Sequence, residues 1–346
     1  MLLSLGGSNR PGPFLLVPIS DPSRVGEARR LAVELARRIG FDEADSGRAA
    51  LVATELGTNL IKHARAGRLL LGLRDVAGAG ALEIVALDDG PGMADAQRCL
   101  RDGFSSAGTS GTGLGAVRRQ ADDFDLHSAL PQGTAVLARL FRGRARPSEW
   151  ASLPLESGAV ALAAPREQVC GDAWAMAFDG GGATAMTVDG LGHGAGAAEA
   201  ARAALDAFAA GPAEPPARFI KRAHLALRPT RGAAVAVLRL DPDGGMVRFA
   251  GAGNVQARIV SGLGSKTLLP QSGTVGVQIR EPDEQALAWP PHALVVLFTD
   301  GVVSRWELED VGLLGRDSTL LAAWLAGRHR RGHDDATVVV LRRRKE

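Results

Sequence analysis

Thr54-Glu55-Leu56-Gly57-Thr58-Asn59-Leu60-Ile61-Lys62-His63-Ala64 is the stretch on which the reading of the fold turns. At roughly 100° per residue, Glu55, Asn59, Lys62 and His63 share one face of a helix predicted from about Ser46 to His63. Leu51, Val52, Leu56 and Leu60 are left to serve packing. A polar stripe on a half-buried helix needs a partner. Taken alone, the stripe reads equally well as a solvated face with an incidental Glu to Lys pairing.

The flanking sequence supplies that partner. Phe14 to Ile19 is strand-like, and Asp21-Pro22-Ser23 opens a periodic helix running through Ile39. Strands are predicted at Leu69 to Leu73 and Ala81 to Leu87, giving an α/β sandwich pattern. The second strand runs into Asp88-Asp89-Gly90-Pro91-Gly92. Glycine there permits close backbone approach, and a carboxylate at a strand end can accept a hydrogen bond from an adenine amino group. Further on, Ser105-Ser106-Ala107-Gly108-Thr109-Ser110-Gly111-Thr112-Gly113-Leu114-Gly115 feeds a helix starting near Leu114. Such a loop offers unpaired N–H groups and a positive dipole end to phosphates.

In this order and spacing the three pieces resemble the N box, DxGxG box and GTGLG box of the GHKL ATPase superfamily. The ExxxNxxKHA form is most similar to the RsbT-type anti-sigma-factor kinases, and the resemblance covers about residues 14 to 140. It implies a Bergerat-type sandwich that binds ATP with Mg²⁺. On that pattern Asn59 would hold Mg²⁺, Glu55 would be the general base, and Lys62, with His63 beside it, would approach phosphate. Asp88, Gly90 and Gly92 would hold adenine. Gly111, Thr112, Gly113, Leu114 and Gly115 would form the lid and phosphate cradle. Glu55 would then deprotonate a serine hydroxyl while Mg²⁺ offsets charge on the transferring phosphoryl group. The rival expectation is a nucleotide-binding clamp that sequesters its partner without phosphate transfer.

The C-terminal half repeats another device: an apolar strand delivers a carboxylate into a turn. It occurs in Cys170-Gly171-Asp172, in Thr187-Val188-Asp189-Gly190-Leu191-Gly192-His193-Gly194, in Phe298-Thr299-Asp300-Gly301 and in His333-Asp334-Asp335-Ala336. Converging carboxylates repel unless cations sit between them, and oxygen-only ligation selects Mg²⁺ or Mn²⁺ over zinc. A single Asp-Gly pair usually just caps a turn. Further strands are predicted at Ala159 to Ala163, Ala183 to Val188, Ala233 to Leu240, Val247 to Ala250, Leu294 to Phe298 and Thr337 to Leu341. Helices are expected at Ala195 to Ala210 and Ala217 to Leu227.

The set resembles the PPM-type protein phosphatases, specifically the SpoIIE/RsbU/RsbX branch, over about residues 159 to 341. The resemblance implies an α-β-β-α sandwich with two Mn²⁺ or Mg²⁺ ions. Asp189 would bridge them, the Gly190 carbonyl would complete one shell, and Asp300, Asp334 and Asp172 would add ligands. The ions would activate a water for in-line attack on phosphoserine. His193 is the candidate proton donor, although the wider family places its acid directly after the Asp-Gly pair, where Leu191 stands here. His193 reads equally well as packed in a glycine turn. Asp335 stands where the wider pattern often has Asn. By the resemblance, the helix pair after Gly194 occupies a regulatory position.

The whole chain fits an α+β protein of two domains. Its 346 residues exceed one ordinary core. Between Phe141 and Gly158 the sequence loses periodicity and gains Pro, Gly, Ser and charge. The expected division is residues 1–143, a linker at 144–158, and 159–346. A net charge of +2 announces no nucleic-acid surface. Cys99 and Cys170 stand far apart with no CxxC spacing, which fits a reducing cytoplasm. Met1 to Pro13 fails as a signal peptide, and no apolar run approaches a membrane span. GLGSKT at Gly262 mimics the end of a phosphate loop but has Ser265 before its lysine, and reads as a hairpin turn. The resemblances imply a STAS-domain anti-sigma-factor antagonist, or a related phosphoprotein, as substrate. A sigma factor or an antagonist is the partner in the sequestering alternative.

Overall fold

A computed structural model describes residues 12–76, 79–95, 113–148, 150, 153–167, 169–308 and 310–344. The chain forms two units. One comprises Phe14–Ala151 with Gly315–Trp324, and the other Met1–Pro13, Ser152–Leu314 and Leu325–Glu346.

In the first unit, α1 (Pro22–Arg38) starts where the Asp21 side chain accepts the Ser23 N–H, with proline in the first turn. Helix α2 (Glu43–His63) begins before the Ser46 expected from periodicity. Asp42 caps it by accepting the Asp45 N–H at 2.8 Å, and Glu43 and Asp45 suit the positive end of the helix. Strands β1 (Leu15–Pro18), β2 (Arg68–Val76), β3 (Ala79–Asp88), β4 (Asp123–Ala129) and β5 (Gly133–Phe141) form an antiparallel sheet in the order β1-β2-β3-β5-β4. Helix α3 (Gly113–Gln120) joins α1 and α2 in the same layer.

Alternate strand residues such as Leu69, Leu71, Leu82 and Ile84 meet Val52, Leu56 and Leu60 of α2 in one core. Leu51 does not serve that packing. It lies about 100° from Val52 around the helix and is 40% exposed. The sheet also buries Arg139, which faces Glu83 across the β3–β5 ladder at 2.7 Å and reaches Asp123 and Asp317. Buried charges of this kind must be paired, so the cluster fixes its partners more than it adds stability.

The second unit has two five-stranded sheets. Strands β6 (Leu155–Leu162), β7 (Asp172–Asp179) and β8 (Gly182–Gly190) precede α4 (Ala195–Ala210) and α5 (Pro216–Leu227). Then come β9 (Ala233–Asp241), β10 (Met246–Ala252), β11 (Gln256–Ser261), β12 (Gly264–Leu268), β13 (Gly273–Thr274), β14 (Gln278–Ile279), β15 (Gln285–Ala288) and β16 (Leu294–Phe298). Helix α6 (Ser318–His329), of which the residues from Leu325 on belong to this unit, and β17 (Ala336–Arg343) follow. The sheet orders are β15-β10-β9-β8-β7 and β12-β11-β16-β17-β6. The Ala-rich α4 and the apolar face of α5 pack on the first sheet through Ala200, Ala204, Phe219 and Ile220. Every residue of β16 is buried, so both faces of that strand are covered.

Two local differences from the sequence reading stand out. Strand β6 starts at Leu155, inside the stretch read as linker, because it pairs along its length with β17, while Trp150 and Leu153 are buried. Strand β7 was not anticipated, although its interior, Ala173 to Phe178, is an unbroken apolar run between two aspartates. The GLGSKT segment is the β11–β12 hairpin, with Ser261 opposite Gly264.

Candidate functional site

Each unit carries its own cluster of chemistry-bearing residues. In the first, Glu55 and Asn59 lie half-buried on α2, whereas Lys62 and His63 of the same helix are exposed. Asn59 packs against the start of α3: a β-carbon on Gly113 would sit 2.9 Å from Asn59 Oδ1. A side chain there would have to push the Asn59 amide aside. Among the described residues the buried Asn59 Nδ2 has no hydrogen-bond partner. The open amide N–H₂ is free to donate to a ligand oxygen, while a cation would be taken by Oδ1.

Asp88 ends β3. Its Oδ1 accepts the Gly90 N–H at 2.7 Å, and burial pushes its carboxyl above the usual range. Gly92, at φ +77°, brings the backbone so close to Ala129 that a side chain would strike the Ala129 carbonyl. Leu114 is half-buried and Gly115 buried within α3. Gly111 and Thr112 lie outside the described residues. The structure thus brings Asn59 to Gly113, the first residue of α3.

In the second unit Asp172 and Asp189 stand directly opposite each other on β7 and β8. Asp300 follows β16 and Asp334 precedes β17, and those two strands are neighbours. Each sheet therefore contributes two carboxylates. Burial, then the neighbouring Asp172, Asp300 and Asp334, pushes the Asp189 carboxyl far up. Asp172 is also raised, first by burial and then by Asp335, although it accepts the Thr299 hydroxyl at 2.7 Å. Its second oxygen, Oδ1, is buried with no hydrogen-bond partner among the described residues.

An all-oxygen donor set with repelling carboxylates and one buried open oxygen fits a hard divalent cation. Among the described residues no three His, Cys, Asp or Glu side chains close on one point, so the carboxylates are gathered rather than shaped into a finished shell. Gly190 is buried at the end of β8 beside Asp189.

A cavity of about 520 Å³ opens over this cluster, lined among others by Asp189, Gly192, His193, Asn254, Asp300 and Asp334. His193 does not pack into its glycine turn; its side chain is 66% exposed and its Nδ1 meets Glu167 Oε1 at 2.7 Å. Leu191, in the position of the wider family's acid, is 55% exposed on the cavity wall.

Asn254 and Glu167 escaped the sequence reading, and Asp335 was singled out there without its role. Asn254 donates to Asp300 Oδ2 at 2.6 Å. It too follows a strand through a Gly turn, a signal that was present but carried no carboxylate. Asp335 accepts the Ala164 N–H at 2.7 Å and the Gly171 N–H at 2.9 Å, one on each oxygen. That double acceptance explains an aspartate there, since asparagine has a single acceptor oxygen. Glu167 lies 26 residues from His193, with no local pattern to link them.

The fold and its two clusters define a protein class: a GHKL-type ATPase domain followed by a PPM-type phosphatase domain. The family model for the histidine kinase-like ATPase domain matches residues 19–140, and that for stage II sporulation protein E (SpoIIE) matches residues 179–344. The serine/threonine-protein kinase RsbT of Bacillus subtilis (strain 168) is 37% identical over 113 residues, which is 32% of this chain and 84% of RsbT. Through its N-terminal domain the chain belongs to the RsbT family. A solved structure from work on the bacterial stressosome as a modular system controlling secondary messenger signalling is 28% identical. It covers 54% of this chain and 99% of its own, with a TM-score of 0.51. The structure of RsbX in complex with magnesium is 22% identical, covering 55% of this chain and 96% of its own, with a TM-score of 0.49. No described helix is long and apolar enough to cross a membrane.

Proposed function

We propose that this chain is a bacterial partner-switching regulator that binds ATP–Mg²⁺ in a domain over residues 1–143 and dephosphorylates serine in a domain over residues 159–346. The linker read at 144–158 ends before Leu155, where β6 of the second domain begins. The substrate is a STAS-domain anti-sigma-factor antagonist, and the N-terminal domain phosphorylates the same class of serine.

The observation that carries the reading is the Asp172–Asp189 pair facing Asp300 and Asp334, with Asp172 Oδ1 buried and open. These four side chains and the Gly190 carbonyl would hold two Mn²⁺ or Mg²⁺ ions. When bound, the ions would supply Lewis acidity toward water and the phosphate oxygens. Thr299 holds Asp172 in place, Asp335 ties the Ala164 and Gly171 backbones together, and Asn254 orients Asp300. His193, oriented by Glu167, protonates the departing serine oxygen as water takes the phosphoryl group.

In the ATP domain, Asn59 would hold Mg²⁺, Asp88 would accept from the adenine amino group, and Gly111, Thr112, Gly113, Leu114 and Gly115 would cradle phosphate. Glu55 takes the serine proton as the terminal phosphoryl leaves ATP. Incubating the full chain with serine-phosphorylated STAS protein tests the phosphatase. The expected result is phosphate release with Mn²⁺ that stops on chelation; no release at any Mn²⁺ concentration overturns the reading.

A further inference from the structure

A phosphoserine dianion entering the cavity over the carboxylates would meet the cations that Asp189, Asp300 and Asp334 would hold, and its remaining oxygens need a donor at the rim. No lysine or arginine is among the described residues lining it. One guanidinium stands against its wall. A β-carbon placed on Gly192, a lining residue, would lie 3.6 Å from Arg231 Nη1. One placed on Gly196, in the first turn of α4, would lie 2.6 Å from Arg231 Nε and Cζ. Two glycines therefore clear a channel for this side chain between the Asp189 loop and α4.

The backbone that carries Arg231 is held firmly. Leu191 N–H donates to the Gly232 carbonyl at 3.0 Å, docking the segment directly on the loop after Asp189. Thr230 Oγ1 accepts the Gly232 N–H at 3.0 Å and donates to the Leu227 carbonyl at 2.7 Å. Arg231 is exposed and has no hydrogen-bond or ion-pair partner among the described residues. The nearby Glu167 is engaged with His193. An exposed arginine on a fixed backbone, beside an acidic cavity and without a carboxylate of its own, retains its planar fork of donors for an incoming anion.

We propose that Arg231 is the phosphate-binding cation of this site, its guanidinium taking non-bridging oxygens of the phosphoserine group at the cavity mouth. The assignment rests on the phosphatase reading for the identity of the anion. A bidentate guanidinium–phosphate contact is charge-assisted on both sides, so its loss weakens anion binding strongly and leaves the carboxylate cluster intact.

The test is calorimetric titration of inorganic phosphate into the Mn²⁺-loaded full chain, beside steady-state hydrolysis of a phosphoserine protein. Arg231→Gln is expected to weaken phosphate binding about tenfold to a hundredfold and to raise KM by a similar factor, with Mn²⁺ affinity unchanged. Arg231→Lys, which keeps the charge but not the fork, should fall between. Arg228→Gln, three residues away and exposed, should match the wild type. Wild-type phosphate affinity in both Arg231 variants overturns the proposal. Because phosphate binding is read directly, a wild type that binds phosphate through Arg231 yet hydrolyses nothing overturns the phosphatase reading and leaves this assignment standing.

Discussion

The two sites solve different problems with different amounts of chain. The N-terminal cluster gathers Glu55, Asn59, Lys62 and His63 on a single helix, within nine residues of sequence. The C-terminal cluster draws Asp172, Asp189, Asp300 and Asp334 from four strands of two sheets. Their electrostatics differ as well. The first holds an open amide and one raised carboxyl, Asp88, whereas in the second burial, and then the crowding of like charges, makes Asp172 and Asp189 both resist ionisation. In the N-terminal cluster the one raised carboxyl, Asp88, owes its shift first to burial. A site of crowded carboxylates is under strain until positive charge arrives.

That contrast can be broken most sharply in the carboxylate cluster. Asp189→Asn is expected to lower Mn²⁺-dependent phosphoserine hydrolysis about a thousandfold while ATP binding, followed by calorimetry, stays at the wild-type value. Glu55→Gln should do the converse, cutting phosphoryl transfer to a STAS-domain serine by about a hundredfold or more with ATP affinity retained. Labelled-ATP assays on the same preparation check it. Asn59→Ala is expected to weaken ATP–Mg²⁺ binding about tenfold to a hundredfold without slowing the phosphatase.

Smaller effects sharpen the comparison. Asp335→Asn leaves one of the Ala164 and Gly171 amides without its acceptor, and denaturant melts should show a loss of about 1–3 kcal/mol. Asp88→Asn should act in the opposite direction. Burial holds the folded Asp88 pKa above its unfolded value, so its contribution to stability is fully present below the unfolded pKa and is lost as pH rises through the folded one. Replacing it should therefore raise the melting temperature near pH 7, with the gain vanishing near pH 4.

Much of this was legible in the sequence because the signals are local. Helical periodicity placed Glu55 and Asn59 on one element, and the strand-to-Asp pattern holds for Asp189 and Asp300, whereas Asp172 opens β7 and Asp334 precedes β17. Strands β8, β9 and β16 were marked by continuous apolar runs. What escaped depends on long-range pairing. The start of β6 at Leu155 is set by β17, nearly two hundred residues on. Thr299 on Asp172, Asp335 on two backbone amides, and Glu167 on His193 join segments 26 to 171 residues apart, and no short-range pattern encodes such bonds. Leu51 was misjudged for a simpler reason: it is apolar but sits off the helix stripe that the sheet covers.

The central claim is that one chain holds two separable sites, the C-terminal one a cation-dependent phosphoserine phosphatase. Phosphate release from a serine-phosphorylated STAS-domain protein, measured across a Mn²⁺ titration for the wild type, Asp189→Asn and Asn59→Ala, tests it most directly. Release that saturates with Mn²⁺ in the wild type and Asn59→Ala, and is abolished in Asp189→Asn, is the predicted result. Undiminished release by Asp189→Asn, or a wild type inert at every Mn²⁺ concentration, would contradict it.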